Sequence, residues 1–431
     1  MPRFNFSFVS HKRKQVALFD ASGISILNQY VPDHDLSVID AEHLNFFAAL
    51  RMLAMGKKSL FDYTVAYIKT FKPQFVFTFI DNNIDFYKLA AIFPKVKFIA
   101  IQNGLRSNYA NQMNNGFFDV LENESANNQL SAHAICVLGS NEGDKYSKYI
   151  QAKQIITGSL KNNLIGDQIE PKEHFDIVYI SQHAPFEIPN SEFKFFFGSK
   201  SITASEFYAI EKYIVRFLIA RCNRTNQSFA VLGKRSDSSS FEREFFDSAA
   251  APHTVRFIPR TSDASTYEFC NSASLIVTTD STIGFEFLAR GKKVAFLSAR
   301  IDAIDHVLSQ EVHDTDFGFP LELGTSGPFW TNAANEFEFE RVIGSIQSMS
   351  DAQWASAISP YNEVLMAYQP GNTAFIQMLR SEGIPTKNEV TQGALRFFHS
   401  DHRWHGFVRP HVCSNDSAEI QPTSTGYFLA R

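Results

Sequence analysis

Short apolar runs alternate with segments of helical period along most of the chain. QFVFTFI (74–80) is rich in aromatic and β-branched residues and predicts a buried strand. DNNIDFYKLAAIF predicts the helix after it, and KVKFIAIQNG (95–104) the next strand. AHAICVLG (132–139) is another strand, with a helix starting near Ser140, and KQIITGS (153–159) closes this series. KNNLIGDQIEPKEH (161–174) is polar, contains Gly and Pro, and reads as a linker. A second series follows: strand FDIVYISQ (175–182), helix SEFYAIEKYIVRFLIARCNR (205–224), strands SFAVLGKR (228–235), VRFIPR (255–260) and SLIVTTD (274–280), helix STIGFEFLARG, and strand KKVAFLS (292–298).

Strands alternating with helices predict parallel sheets joined by crossover helices, an α/β class. Two such series make two Rossmann-like domains, residues 1–165 and 166–335, with a central cleft between them. Residues 336–385 read as amphipathic helices packing back across the domains, and 386–431 lose periodicity and read as a tail or linker. In sheets of this kind ligands sit beyond the carboxyl ends of the strands, so the polar residues found there are the candidates for chemistry.

Composition narrows the class. The chain has 431 residues, 44% hydrophobic and 20% charged, which is ordinary for a globular protein. Its 43 Phe residues need cores to occupy. A net charge of -5 with interspersed signs argues against a nucleic-acid partner. Four scattered cysteines without CxxC spacing, and no apolar leader or span, fit a reduced cytoplasmic protein; the basic run HKRK (11–14) is either a contact for an anionic membrane face or a solvated loop. No GxxxxGK[ST], GxGxxG after a first strand, HExxH, GxSxG or strand-end DxD occurs, and no metal or other cofactor is expected.

Polar residues cluster where strands end. In the first half they are Asp81-Asn82-Asn83 and Gln102-Asn103-Gly104-Leu105-Arg106. Asp81 is either a helix cap or a site residue, and Asn103-Gly104 either a plain turn or, with Arg106, an acceptor-binding corner. In the second half they are Ser181-Gln182-His183, Lys234-Arg235, Asp280-Ser281-Thr282 and Arg300. Two cations directly after an apolar strand suit a phosphate, although a solvated loop would look the same. Asp280 could serve only the dipole of the helix behind it. It could equally be a carboxylate presented to an electrophile such as a sugar carbon, with free helix N–H groups and the Ser281 and Thr282 hydroxyls holding an anion. Glu206, at a helix start, and His313, in EVHDTDFGFP, are candidate proton donors, and Trp330 in GTSGPFWTN (324–332) is either a wall of the donor pocket or an inter-domain plug.

Taken in order, FTFIDNN, IAIQNGLR, ITGSLKNN, YISQ, VLGKRSDSSSFEREFF, TTDSTIGFEFLARGKKVAFLSAR and FGFP…SGPFWTN resemble bacterial surface-carbohydrate biosynthesis proteins, in particular the retaining β-Kdo glycosyltransferases, over residues 75–360. That resemblance implies a GT-B fold with an acceptor domain first and a donor domain second. It implies transfer of Kdo from CMP-β-Kdo to a lipid-linked or oligosaccharide acceptor, at the cytoplasmic face of the inner membrane and alongside other assembly enzymes. Retention implies double displacement, with Asp280 as nucleophile, Glu206 assisting the acceptor hydroxyl or leaving group, and His313 contacting the donor. Gln182, Lys234, Arg235, Ser281, Thr282, Arg300 and Trp330 would line the donor site, and Asp81, Asn82, Gln102, Asn103 and Arg106 the acceptor site. A polyol-phosphate transferase of the teichoic-acid type on the same frame, relying on a histidine base, or a transferase of another nucleotide sugar, is the alternative enzyme. A binding scaffold without chemistry is the non-enzymatic one.

Overall fold

The computed structural model describes residues 5–387 apart from 12–13, 41–42, 107–108, 166–168, 170–172, 185, 187, 236–239, 263 and 309–322. The first half contributes β1 (Asn5–Ser7), β2 (Val16–Leu18), β3 (Leu36–Val38), β4 (His43–Asn45), β5 (Phe75–Thr78), β6 (Lys97–Ile101), β7 (Ala110–Asn111), β8 (Ser131–Val137) and β9 (Gln151–Ile156). The second contributes β10 (Ile177–Ile180), β11 (Lys194–Phe197), β12 (Lys200–Thr203), β13 (Phe229–Leu232), β14 (Arg256–Ile258), β15 (Leu275–Thr278), β16 (Val294–Leu297) and β17 (Trp330–Thr331). Two six-stranded parallel sheets result, ordered β3-β2-β5-β6-β8-β9 and β14-β13-β10-β15-β16-β17. This is the GT-B architecture.

In each sheet the strand order reverses once, between β2 and β5 in the first and between β10 and β15 in the second. Such reversals open crevices at the carboxyl ends, where ligands bind in open α/β sheets. The central strands are buried on both faces, which is why they read as continuous apolar runs. In β5, Val76 packs into one core layer while Phe75 and Phe77 pack into the other, together with Phe375, Met378 and Leu379 of the final helix, Thr373–Ser381.

The first residues of the stretch read as a polar linker are not solvated. Helix Leu160–Ile165 buries Asn162 and Asn163. Ser159 Oγ donates to Glu286 Oε1 (2.5 Å), and Asn162 Nδ2 to the Glu286 carbonyl (3.1 Å). Tyr267 donates to the same carboxylate, so a helix of the second domain is tied to the joint. Asn163 Nδ2 donates to Asn372 Oδ1 (2.7 Å), and Asn372 Nδ2 to Tyr30 Oη (2.6 Å), which ties the returning C-terminal segment to the first domain.

That segment lies against bare backbone. Ala367 N donates to Leu138 O (2.8 Å), and Ser140 N to Glu363 O (2.8 Å). A Cβ on Gly158, where φ is +67, would stand 1.9 Å from Ala367 O, and one on Gly139 would stand 2.4 Å from Val364 O. Both approaches require glycine.

β11 and β12 form a hairpin turned at Gly198, and β11 also pairs antiparallel with β7 of the first domain. This three-stranded sheet joins the halves at the cleft and was not foreseen.

Gly158→Ala should therefore lower the thermal midpoint well beyond Gly56→Ala. Both positions have positive φ, but a Cβ at Gly56 meets nothing within 4 Å. The φ strain common to both costs about 1 kcal/mol. Equal midpoints in differential scanning fluorimetry would contradict the close-approach argument.

Candidate functional site

The second domain builds the better-defined half of the site. β15 ends at Thr278, and Asp280 stands just before Ser281, the N-cap of helix Thr282–Ala289. Among the described residues no side chain caps that helix, and the Ser281 N–H turns back to Thr278 Oγ1 (3.1 Å). The helix N-terminus thus keeps the polarity that favours an anion.

Asp280, expected either to serve the helix dipole or to face an electrophile, is held in an ion pair. Arg300, at the start of helix Arg300–Leu308 behind β16, donates from Nε to Asp280 Oδ2 (3.0 Å) and from Nη1 to Phe207 O (2.7 Å). Its Nη2 lies 3.4 Å from Glu211 Oε1, and its guanidinium stacks 4.4 Å from the Phe207 ring centroid. The Arg300 side chain is 1% exposed, Glu211 0%, and Asp280 23%. Arg300 is therefore an enclosed cation committed to protein partners. It orients Asp280 and does not reach a donor directly, which corrects its assignment as a donor contact. Asp280 keeps an open side, where among the described residues Oδ1 has only a long 3.5 Å approach to Nη2.

Glu211 is the residue the sequence reading missed. It accepts from the Tyr179 hydroxyl (3.2 Å) and from Gln182 N–H (2.9 Å), which fixes the end of β10. Burial pushes its pKa up to about 7, against the lowering pull of Arg300. The available signal was an acid in phase with Ile214, Val215, Leu218 and Cys222 on the buried face of helix Ala209–Thr225.

Beside it, burial lowers the pKa of Lys234, while the carboxylates of Glu211 and then Asp280 pull it back up. The backbone N–H groups of Lys234 and Arg235 both donate to buried Glu242 (2.9 and 3.2 Å), so this loop is fixed while Arg235 stays exposed. His183 is 1% exposed and stacks 3.7 Å from the Phe245 centroid, and neither of its ring nitrogens has a hydrogen-bond partner among the described residues. Burial, then Lys212, Lys234 and Arg300, press its pKa down to about 3, so the ring is neutral.

The first domain contributes differently from expectation. Asp81 is 0% exposed and accepts from Arg106 Nε (3.0 Å), Asn103 N (3.2 Å) and the Tyr146 hydroxyl. Gln102 is closed by Glu142 and by Leu138 N–H (2.9 Å). Asp81, Gln102 and Arg106 are thus an internal network, not an acceptor surface. Asn103 is exposed, with its Oδ1 taken by Arg106 (2.7 Å), and Asn82 is buried with Oδ1 unpartnered among the described residues. The network shapes the turn from which Leu105 N–H crosses to Thr282 Oγ1 (3.2 Å), so Thr282 serves the domain contact. Tyr109, in the same connection, packs on Phe195 and Phe207, and burial and then the Asp280 charge raise its pKa. At this domain's own switch point stands Asp20, also missed. It accepts from Ser22 N–H (2.5 Å) and the Thr78 hydroxyl (3.2 Å), and burial raises its pKa.

Two further expectations are corrected. Glu206 is exposed and accepts from Thr203 N–H (2.7 Å) and Oγ1 (2.8 Å), which is a capping box with no part in the Asp280 cluster. Trp330 lies in β17, 1% exposed, against Phe329 and Tyr361, and its Nε1 donates to Gly324 O (3.1 Å); it is core rather than pocket wall. His313 lies outside the described residues. Among the described residues no group of three His, Cys, Asp or Glu side chains could hold a metal ion.

Two doubly wound lobes, with an acid, a partly buried lysine and a helix start at the switch point of the second sheet, define a GT-B-type protein. Residues 99–383 match the family described as "putative O-antigen biosynthesis protein", and the chain belongs to it. No curated protein matches the sequence at a significant level. Among solved structures, the UDP-GlcNAc 2-epimerase of Neisseria meningitidis bound to UDP-GlcNAc is 14% identical at TM-score 0.44, covering 85% of this chain and 99% of that one. The wall teichoic acid polymerase TagF is 10% identical at TM-score 0.44, covering 87% and 90%. The Acinetobacter baumannii protein MurG is 9% identical at TM-score 0.43, covering 85% and 99%.

Two outcomes test this geometry. Asp81→Ala strands the Arg106 charge and should cost about 3–5 kcal/mol, read from urea unfolding. Glu211 has a raised folded pKa, so the folded state binds more protons than the unfolded one between the ordinary glutamate value and about 7. Its contribution to stability therefore falls as pH rises through that window and is constant above it. Unfolding free energies from about pH 5 to pH 8 should then show Glu211→Gln gaining on the parent as pH rises; a constant difference would contradict the shift.

Proposed function

We propose that the protein is a glycosyltransferase of bacterial surface-polysaccharide assembly that binds a nucleotide-activated sugar between its two lobes. One observation carries this reading: Asp280, oriented by Arg300 and partly open, stands at the switch point of the second sheet beside Lys234 and an uncapped helix N-terminus. The helix end and Lys234 would take the phosphate, with Gln182, Arg235 and Ser281 around it, without a metal ion. The motif resemblance favours CMP-β-Kdo as donor and retention by double displacement. In that scheme Asp280 Oδ1 attacks the anomeric carbon, the bond from that carbon to the phosphate oxygen breaks, and CMP leaves. The acceptor oxygen then displaces the carboxylate as its proton passes to a base. Asp20, with its pKa raised by burial at the first domain's switch point, is our candidate for that base. A pKa pressed down to about 3 makes His183 a weak base, which counts against the second reading, a polyol-phosphate transferase with a histidine base.

Thermal stability with CMP, CDP-glycerol and UDP separates the donors. The cognate nucleotide at a hundred times its Kd should add about 2.7 kcal/mol. Intact-mass analysis after incubation with CMP-Kdo should show a sugar adduct on the peptide holding Asp280, and Asp280→Asn should lose both the adduct and on the order of a thousandfold or more of turnover. Full turnover in Asp280→Asn would end the covalent scheme. Selective stabilisation by CDP-glycerol, with loss of activity in His183→Ala, would favour the second reading.

A further inference from the structure

Helix Phe46–Ala54 is apolar on nearly every side yet covered on only one. Ala48, Ala49 and Met52 are buried. Leu53, Phe46, Leu50, Ala54 and Phe47 occupy the adjoining arc of roughly 120° at 3.6 residues per turn, and all of them are exposed. Leu50 is 55% exposed and Leu53 62%. The patch continues onto the segment after β1. Phe8 is 66% exposed and its ring lies 4.9 Å from that of Phe46, tilted by 33°, and Phe6 lies 6.4 Å from the same ring. A helix that is apolar all round belongs in a core or in lipid, and contiguous exposed aromatic and aliphatic groups of this kind mark an interaction surface.

Charge selects the occupant. Although the chain carries a net charge of -5, residues 5–14 and 43–58 contain no Asp or Glu. Arg51 lies at the edge of the apolar arc, and exposed Lys57 and Lys58 follow the helix directly. An apolar face rimmed by cations fits the boundary between anionic headgroups and acyl chains. An open groove of about 360 Å³ beside the patch has Lys14, Asp33, Asp40 and His43 in its walls and so carries both signs of charge; the cations that favour an anionic surface are those at the rim of the helix, Arg51, Lys57 and Lys58. No helix among the described residues is long and apolar enough to cross a membrane, so contact through this face would be peripheral.

We propose that Phe46–Ala54, with Phe6 and Phe8, is a docking face for an anionic lipid bilayer. It goes beyond the reading of the cleft and is tested separately from it. The full chain is sedimented with vesicles of phosphatidylcholine alone and of phosphatidylcholine mixed with phosphatidylglycerol. Binding is expected only to the mixed vesicles and should weaken as salt rises. Leu50→Glu/Leu53→Glu, at positions already exposed, should lower it at least about tenfold with the thermal midpoint unchanged. Lys57→Gln/Lys58→Gln should lower binding to mixed vesicles and flatten its salt dependence. Absence of binding, or binding indifferent to Leu50→Glu/Leu53→Glu, would overturn the proposal. So would a dimer in analytical ultracentrifugation that this double substitution dissolves, since a second copy would then cover the face. Donor stabilisation of the same variants reports the cleft independently of either result.

Discussion

Enclosing Arg300 is the constraint from which the arrangement of the second domain's strand ends follows. A guanidinium that is 1% exposed is stable only if its donors find charge and lone pairs inside the protein. Asp280, Glu211 and Phe207 O supply them from the end of β15, from helix Ala209–Thr225 and from the turn before it. The three elements are thereby held in one arrangement around a single cation. Glu211 in turn grips the end of β10 through Gln182 N–H. The strand tips on both sides of the switch point are thus set by one buried cluster, and Asp280 faces the cleft because its partner cannot leave the interior.

The first domain uses the same physics for another purpose. Asp81, Arg106 and Tyr146 form an enclosed network whose product is a turn. That turn delivers Leu105 N–H to Thr282 beside Asp280. Glu286, four residues further along the same helix, receives Ser159 and Tyr267. Helix Thr282–Ala289 therefore carries the candidate chemistry at its start and the domain junction along its length.

Much of this was legible. QFVFTFI, SLIVTTD and KKVAFLS are apolar because both faces of their strands are covered, and the order of elements gave two wound sheets. The hairpin β11–β12 was passed over although Phe195 and Phe197 alternate with exposed neighbours and Gly198 marks the turn; the local pattern was there, but its partner β7 is two residues long and distant in sequence. Polarity misled at two places. KNN (161–163) reads as solvated, and only the tertiary structure supplies Glu286 and Asn372 as partners. Asp81-Asn82 reads as a binding edge until Arg106 is seen to close it. Conversely Glu211 looked like one more charge on a long helix. A sequence shows which residues are polar, whereas burial decides whether that polarity meets water, a substrate or an ion-pair partner.

The ladder of β7 with β11 also has a mechanical consequence. These backbone hydrogen bonds run from one lobe to the other. Drawing β7 away from β11 would rupture them. A relative motion of the lobes that keeps the two strands paired therefore costs less than one that parts them.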